Sequence, residues 1–313
     1  MLLRHVLEIV DLVDTPAANG GAVADLLRRR GDVRVTVERV VGDHGATDFI
    51  KVLVPGLDGK TAGGDAPTLG IIGRLGGVGA RPAAIGMVSD ADGGVAAMAA
   101  ALKLTEMQAA GDRLPGDVII ATHVCPNAPT IPHEPVPFQG SPVDMAVMNR
   151  YEVDPAMDAI LTIDTTKGNR VINVRGIAIS PTVKEGWILR TSEDLLSLLQ
   201  NVSGRLPVVF PLAMQDITPY GNDVYHLNSI LQPATATTAP VVGLAITAEV
   251  AVPGCCTGAS QSVDVEMAAR FAVEVAKGVT SGKCRFYDPA EFARLVSLYG
   301  SMRGLQTMGG RTD

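Results

Sequence analysis

The chain is poor in aromatic side chains, in charge and in cysteine. Aromatic residues make up 4% and charged residues 19% of its 313 positions, whereas the hydrophobic share is 47%. That balance describes a folded chain with an aliphatic core, not a disordered one. A basic surplus is also missing, since 26 Lys and Arg stand against 33 Asp and Glu for a net charge of -7. Binding to a phosphate backbone depends on clustered cations, so nucleic acid and anionic membrane surfaces are excluded as expected partners. Small or neutral molecules are expected instead. Four cysteines (Cys125, Cys255, Cys256 and Cys284) are too few for a disulfide framework in so long a chain, and free thiols are expected. No apolar run has the length of a membrane span, and the opening segment is amphipathic, with Arg4, His5, Glu8 and Asp11 breaking it. A cytoplasmic location follows as the expectation, and the apolar richness makes a homo-oligomer the expected assembly.

Along the chain, helix and strand signals alternate. Leu2, Leu3, Val6, Leu7, Ile9, Val10, Leu12 and Val13 recur at helical spacing, and a second helix follows from Val23 to Arg30. Strands are expected over Val33 to Val41, Phe49 to Val54 and Thr68 to Ile72, with a Gly- and Asp-rich turn before the last. Pro82 to Val88 has a buried-strand pattern. It leads through Ser89-Asp90-Ala91-Asp92-Gly93 into an Ala-rich helix from Gly94 to Ala110, and Asp117 to Thr122 reads as the next buried strand. Pro126 to Pro137 is polar and proline-rich, a loop over the site. Further on come a helix near 141–151, a strand pair around 171–179 and 186–189, a helix from Ser192, short and long strands at 207–211 and 240–251, and two helices from Ser260 and Pro289. Neither an internal repeat nor a linker interrupts this order, so one α/β domain over residues 1–313 is expected, with a loop-rich excursion at about 124–140.

Ligands in open α/β sheets gather beyond the carboxyl ends of strands. Asp90, Asp92, His123, Cys125 and Asp164 all stand at such ends in this reading. Carboxylate oxygens with an imidazole suit zinc or manganese, so Asp90, Asp92, His123 and Asp164 form one candidate metal set. Each has a plainer role as well: an Asp before Gly at a helix start is an N-cap, and a His after a strand is a hydrogen-bonded loop residue. A nucleotide cofactor is not expected, because Gly73-Arg74-Leu75-Gly76-Gly77-Val78-Gly79 matches neither a phosphate-loop nor a dinucleotide fingerprint. That glycine-rich stretch is a turn or an anion cradle, in which Arg74 or Arg81 would pair a substrate carboxylate.

Ser89 to Ala97 with its Ala/Leu helix, Gly116 to His123, and Asp158 to Thr166 resemble in order and spacing the co-catalytic zinc aminopeptidases. The resemblance implies a mixed β-sheet sandwiched by helices in a three-layer, phosphorylase/hydrolase-like core. It also implies a divalent metal, Zn or Mn, with Asp90 or Asp92 as the bridging carboxylate and Asp164 as a later ligand. Tyr220-Gly221-Asn222-Asp223 is similar to a Gly-Thr-Asp turn of that superfamily, which places Asp223 among the substrate-binding candidates. Departures are equally visible. The early His-x-Asp is missing, Thr122-His123-Val124-Cys125 stands where paired glutamates belong, and the late His is lost in Cys256 to Ser260. His123 or Glu134 would have to carry the proton. The chain as a whole resembles a bacterial domain-of-unknown-function family associated with AroM-like and peptide-transport gene neighbourhoods, a degenerate member of the aminopeptidase architecture.

Two cysteine segments keep another function class open. Val124 to Thr130 and Pro253 to Gly258 are similar to the Cys-Asn-Thr and Gly-Cys-Thr segments of cofactor-independent amino-acid racemases, which implies Cys125 and Cys256 as thiolate base and thiol acid. Small thiols also serve as buried fillers. The sequence therefore predicts metal-assisted hydrolysis of an amide bond in a small peptide or acylated amino acid. Two-cysteine racemisation and a peptidase-shaped binding protein without catalysis are the alternatives.

Overall fold

The structure, a computed structural model, describes residues 2–74, 76–134, 137–166, 168–226, 229–251 and 256–309. Its helices are α1 (Leu3–Val13), α2 (Gly20–Arg30), α3 (Asp92–Ala109), α4 (Met145–Glu152), α5 (Glu193–Ser203), α6 (Ser262–Thr280) and α7 (Pro289–Tyr299). Its strands are β1 (Arg34–Gly42), β2 (Gly45–Val54), β3 (Leu69–Gly73), β4 (Val118–Val124), β5 (Thr130–Ile131), β6 (Phe138–Gln139), β7 (Ala159–Thr166), β8 (Gly176–Ile179), β9 (Val183–Lys184), β10 (Trp187–Ile188) and β11 (Val241–Thr247).

Nine of these strands form a mixed sheet in the order β1-β2-β4-β3-β7-β11-β9-β10, with β8 paired to β11. The centre is parallel, since β3 pairs in parallel with both β4 and β7, and β7 with β11. Central strands buried on both faces read as continuous apolar runs, and Val118 to Ile120 and Ala159 to Leu161 do so. Alternate side chains then feed two cores. Leu69, Ile71, Leu161 and Ile163 face α1, α2, α3, α5 and α6. Ile72, Ile119, Ile160 and Ala245 face the opposite layer, which includes Phe210, Ile217, Ile230 and Leu231. The short β5–β6 pair lies within the loop-rich excursion expected there. None of the described helices is long and apolar enough to cross a membrane.

Two expected strands are absent: 207–211 keeps only an isolated bridge between Val209 and Ile179, and the other is Pro82 to Val88. Pro82 to Val88 forms turns, Ile85 is 93% exposed and Gly86 has a left-handed φ of 88°. An apolar run alone does not make a strand when Pro and Gly hold its backbone off the extended path. The strand that feeds α3 is β3, so β3, α3 and β4 form the parallel strand-helix-strand unit. Close approach explains Gly73: a Cβ there would stand 2.7 Å from the Ala97 Cβ and from the Gly93 carbonyl. With only hydrogen at Cα, the helix lies directly on the strand.

Candidate functional site

At the carboxyl ends of β4, β3 and β7 the registers place three polar residues in one row. Ile72 is level with both Ala121 and Thr162, and two residues further along each chain stand His123, Arg74 and Asp164. The period-two alternation puts all three on the face that also carries Ile72, Ile119 and Ile160. Above the row lies α4, whose buried residues are Met148, Asn149 and Glu152. The Asp144 side chain caps that helix by accepting from the Val147 N–H, at 2.7 Å. Arg74 and Glu152 are both wholly buried, and the Arg74 Nη1 donates to Glu152 Oε2 in an ion pair. The Arg74 Nη2 meets the Met145 sulfur, a soft acceptor.

The hydrogen bonds assign the His123 proton. The Gly76 N–H donates to His123 Nε2 at 3.3 Å, so that nitrogen is an acceptor and Nδ1 carries the hydrogen towards Thr47 Oγ1 at 2.7 Å. The Thr47 hydroxyl in turn donates to the Val124 carbonyl at 3.2 Å. Burial, aided by the nearby Arg74 charge, pushes His123 down to about 3, and the ring is neutral at physiological pH. Burial pushes Glu152 up to about 7 against the pull of Arg74. Burial likewise raises Asp164, although Ser229 Oγ donates to its Oδ2 at 2.6 Å and the Thr165 N–H to its Oδ1 at 2.7 Å. Tyr220, beside Asp164, is pushed up to about 12, first by burial and then by that carboxylate. Glu152 and Ser229 are the site residues that the sequence reading missed.

The structure brings His123, Arg74 and Asp164 together, but Arg74 stands between the other two. Asp90 and Asp92 arrive from the opposite face with α3, where Ser260 Oγ donates to Asp92 Oδ1 at 2.5 Å. Among the described residues these four do not gather into a group of three or more that could hold a metal ion. Cys125 and Cys256 are buried, with different charged neighbours: Asp48 and Arg39 act on Cys125, whereas Asp90 acts on Cys256, which packs with Ala80 and Val88. Burial raises both thiols, Cys256 to about 11, and so opposes the thiolate that racemisation requires. Cys255 lies outside the described residues. Glu134 is exposed on the loop between β5 and β6, and Asp223 is exposed in a turn with φ 59°. Arg81 Nη1 donates to the Pro126 carbonyl at 3.1 Å, and Arg74 serves the protein's own Glu152 instead of a substrate carboxylate.

The glycine-rich stretch is likewise turned inward. Besides the Gly76 bond to His123, the Gly79 N–H donates to the Cys125 carbonyl at 3.4 Å, and the Gly77 carbonyl accepts from Gln139 Nε2 at 2.6 Å. A Cβ at Gly76 would stand 1.3 Å from the His123 carbonyl, so glycine is required there for the two chains to touch. Among the described residues no three His, Cys, Asp or Glu side chains are placed to hold a metal ion. With both nitrogens of His123 engaged and a guanidinium in the row, these residues do not fit the divalent metal that the aminopeptidase resemblance implies.

Beside the row, a cavity of about 860 Å³ opens between α4 and residues 219–240. Met145, Asn149, Arg150, Tyr220 and Gln232 line it together with Lys184. Asn149 Nδ2 donates to the Gln232 carbonyl at 3.1 Å and to Thr235 Oγ1 at 3.2 Å, whereas the buried Asn149 Oδ1 has no partner. Met145 belongs to both the cavity wall and the Arg74 contact.

The chain belongs to the DUF1177 family, described as a protein of unknown function, whose model matches residues 38–309. No curated protein matches it. Among solved structures it is similar to the bottromycin maturation enzyme BotP, at 18% identity over 90% of this chain and 70% of that one, with a TM-score of 0.52. It is similar also to BotP in complex with Mn, at 17% identity over 90% and 71% of the two chains, with a TM-score of 0.52. A mutant of tomato leucine aminopeptidase matches at 13% identity over 86% of this chain and 61% of that one, with a TM-score of 0.48. At such identities the BotP likeness shows the fold alone, a mixed sheet between helical layers.

Proposed function

We propose that this chain is a peptidase-shaped binding protein for a small peptide or amino-acid derivative, in which catalysis has lapsed. The observation that carries the reading is the contrast between the closed ionic row and the open cavity beside it. His123, Arg74, Glu152 and Asp164 are buried and held by one another or by neighbouring protein groups. The cavity wall instead includes Arg150 and Asn149, the latter with its Oδ1 buried and without a partner. Such an unpartnered acceptor takes a ligand N–H once the amide turns towards the cavity, and an adjacent guanidinium selects a carboxylate. Both groups belong to a peptide or an acylated amino acid.

A panel of dipeptides and N-acyl amino acids, scored for melting temperature and for product in the same samples, tests this reading. A ligand at about 100 times its Kd stabilises by about 2.7 kcal/mol, a shift of a few degrees. We expect such a shift without product, and its loss on Asn149→Leu. Turnover, or no shift with any member of the panel, overturns the reading. A second reading, metal-assisted hydrolysis of an amide bond, draws support from the likeness to the Mn complex of BotP. It would use Asp90, Asp92, His123 and Asp164 as ligands, with His123 or Glu134 as the proton carrier, and it predicts metal-dependent product in that panel. The two-cysteine racemase reading would need Cys125 or Cys256 ionised, against the effect of their burial.

A further inference from the structure

The sheet ends on one side at β1, whose principal neighbours among the described elements are β2 within the sheet and α2 on one face. An uncovered edge is a template for another strand, and folded proteins blunt it with proline, a bulge or short length. β1 has none of these. It runs for nine residues without proline, and its register against β2 is one to one from Arg34↔Leu53 to Gly42↔Gly45, so it carries no bulge. Val37 and Val41 on this strand are 37% and 77% exposed.

The hairpin geometry identifies the outward backbone groups. Gly42 and Gly45, joined by two residues, form a mutually hydrogen-bonded pair, and alternation then turns the backbone of Arg34, Thr36, Glu38 and Val40 towards β2. Val35, Val37, Arg39 and Val41 therefore present their N–H and C=O groups outwards. In keeping with this, the Val35 carbonyl accepts from a side chain, Arg28 Nη2 of α2, at 2.8 Å. Side chains alternate as well. Glu38 stands on the α4 face, where the Tyr151 hydroxyl donates to its Oε1 at 3.2 Å, and Arg34 and Thr36 share that face. All three are exposed.

A second copy laid antiparallel on this edge about a two-fold axis gives every residue a fixed counterpart. With the axis at Thr36, Val35 meets Val37 of the second copy in the hydrogen-bonded sites. Arg34 meets Glu38 of the second copy in the closer, non-hydrogen-bonded sites, and symmetry makes each pair twice. An axis at Glu38 or Arg39 sets like charges against each other, and one at Val37 sets Val35 against Arg39. Only the axis at Thr36 opposes charges of unlike sign. We propose that β1 is the edge through which two copies of this chain join into a dimer with one continuous sheet, in the register that pairs Arg34 of each copy with Glu38 of the other. This dimer is independent of what the cavity takes.

Light scattering behind size exclusion tests the dimer on the full chain. At about 100 μM the natural chain is expected to give about twice the 32.6 kDa of one chain. Arg34→Glu or Glu38→Arg alone sets like charges opposite each other in both pairs and is expected to weaken the dimer at least about tenfold. Arg34→Glu combined with Glu38→Arg is expected to dimerise as the natural chain does, and the two single variants, when mixed, to form the mixed dimer. Thr36→Cys, on the axis, is expected to give a covalent dimer under mild oxidation, whereas Val41→Cys, exposed but distant from the axis, is not. The free cysteines among the described residues are buried, so the natural chain serves as the blank. A natural chain that is monomeric at that concentration overturns the proposal. So does a dimer that neither single charge change weakens, a double variant as weak as the single ones, or a dimer in which Thr36→Cys does not cross-link.

Discussion

On the α3 side of the sheet, Ala96 to Ala101 are all buried and close-packed against β3, β4 and β7, with no charged side chain in that stretch. On the α4 side, the same three strands end in His123, Arg74 and Asp164 beneath Glu152. The first face depends on shape: small side chains let helix and strand meet, and any added volume has nowhere to go. The second depends on charge balance, because each buried ionisable group is tolerable only while its partner is present. One sheet therefore carries a face sensitive to volume and a face sensitive to protonation.

The largest way to break this contrast is Glu152→Ala, which leaves Arg74 buried without a counter-charge. Unfolding in denaturant should report a loss of about 3–5 kcal/mol, and a loss below about 1 kcal/mol would mean that water reaches the pair. A second measurement sharpens the contrast through pH. Glu152 is raised from 4.5 to about 7 in the fold, so its contribution is present below pH 4.5 and is lost as pH rises through about 7. His123 is lowered from 6.5 to about 3, so its contribution is present above pH 6.5 and is lost as pH falls through about 3. Between pH 4.5 and 6.5 the two slopes oppose each other, at up to about 1.4 kcal/mol per unit each. The natural chain should therefore show little slope from this pair. Glu152→Gln should gain stability with rising pH over that window by about 2–3 kcal/mol relative to the natural chain, and His123→Gln should lose a similar amount. Parallel profiles for all three proteins would show that neither group titrates as described. The smallest effect is expected on the other face: Ala97→Leu, overpacking α3 against Gly73, should cost about 1–3 kcal/mol at every pH, with no change in slope.

Most of the layer architecture was legible in the residues. The two opening helices, the Ala-rich α3, the apolar β4 and β7 and the amphipathic α6 follow from periodicity and run length, which report burial locally. Pro82 to Val88 shows the limit of that signal. Its apolar letters match a buried strand, but Pro82 and Gly86 hold it in turns, and β3 supplies the strand instead. His123 and Asp164 were rightly placed at strand ends, and they do share a row. Asp90 and Asp92 could not be assigned to a face in the same way, because a side chain at a loop-helix junction has no alternation to fix its direction. Glu152 was invisible for another reason. It lies 78 residues from Arg74 along the chain, at the end of a short helix whose docking no local pattern reveals.

Periodicity and composition settled the layers, the aliphatic core and the polar tips of the parallel strands, because helix and strand geometry convert residue order directly into faces. Which polar tips meet, and that a guanidinium stands among them, was decided by strand order and by the docking of α4. Strand order puts β3 between β4 and β7 although β4 follows β3 in the chain and β7 comes far later. Charge compensation acts through space over a few ångströms, and that distance exists only once the sheet has assembled.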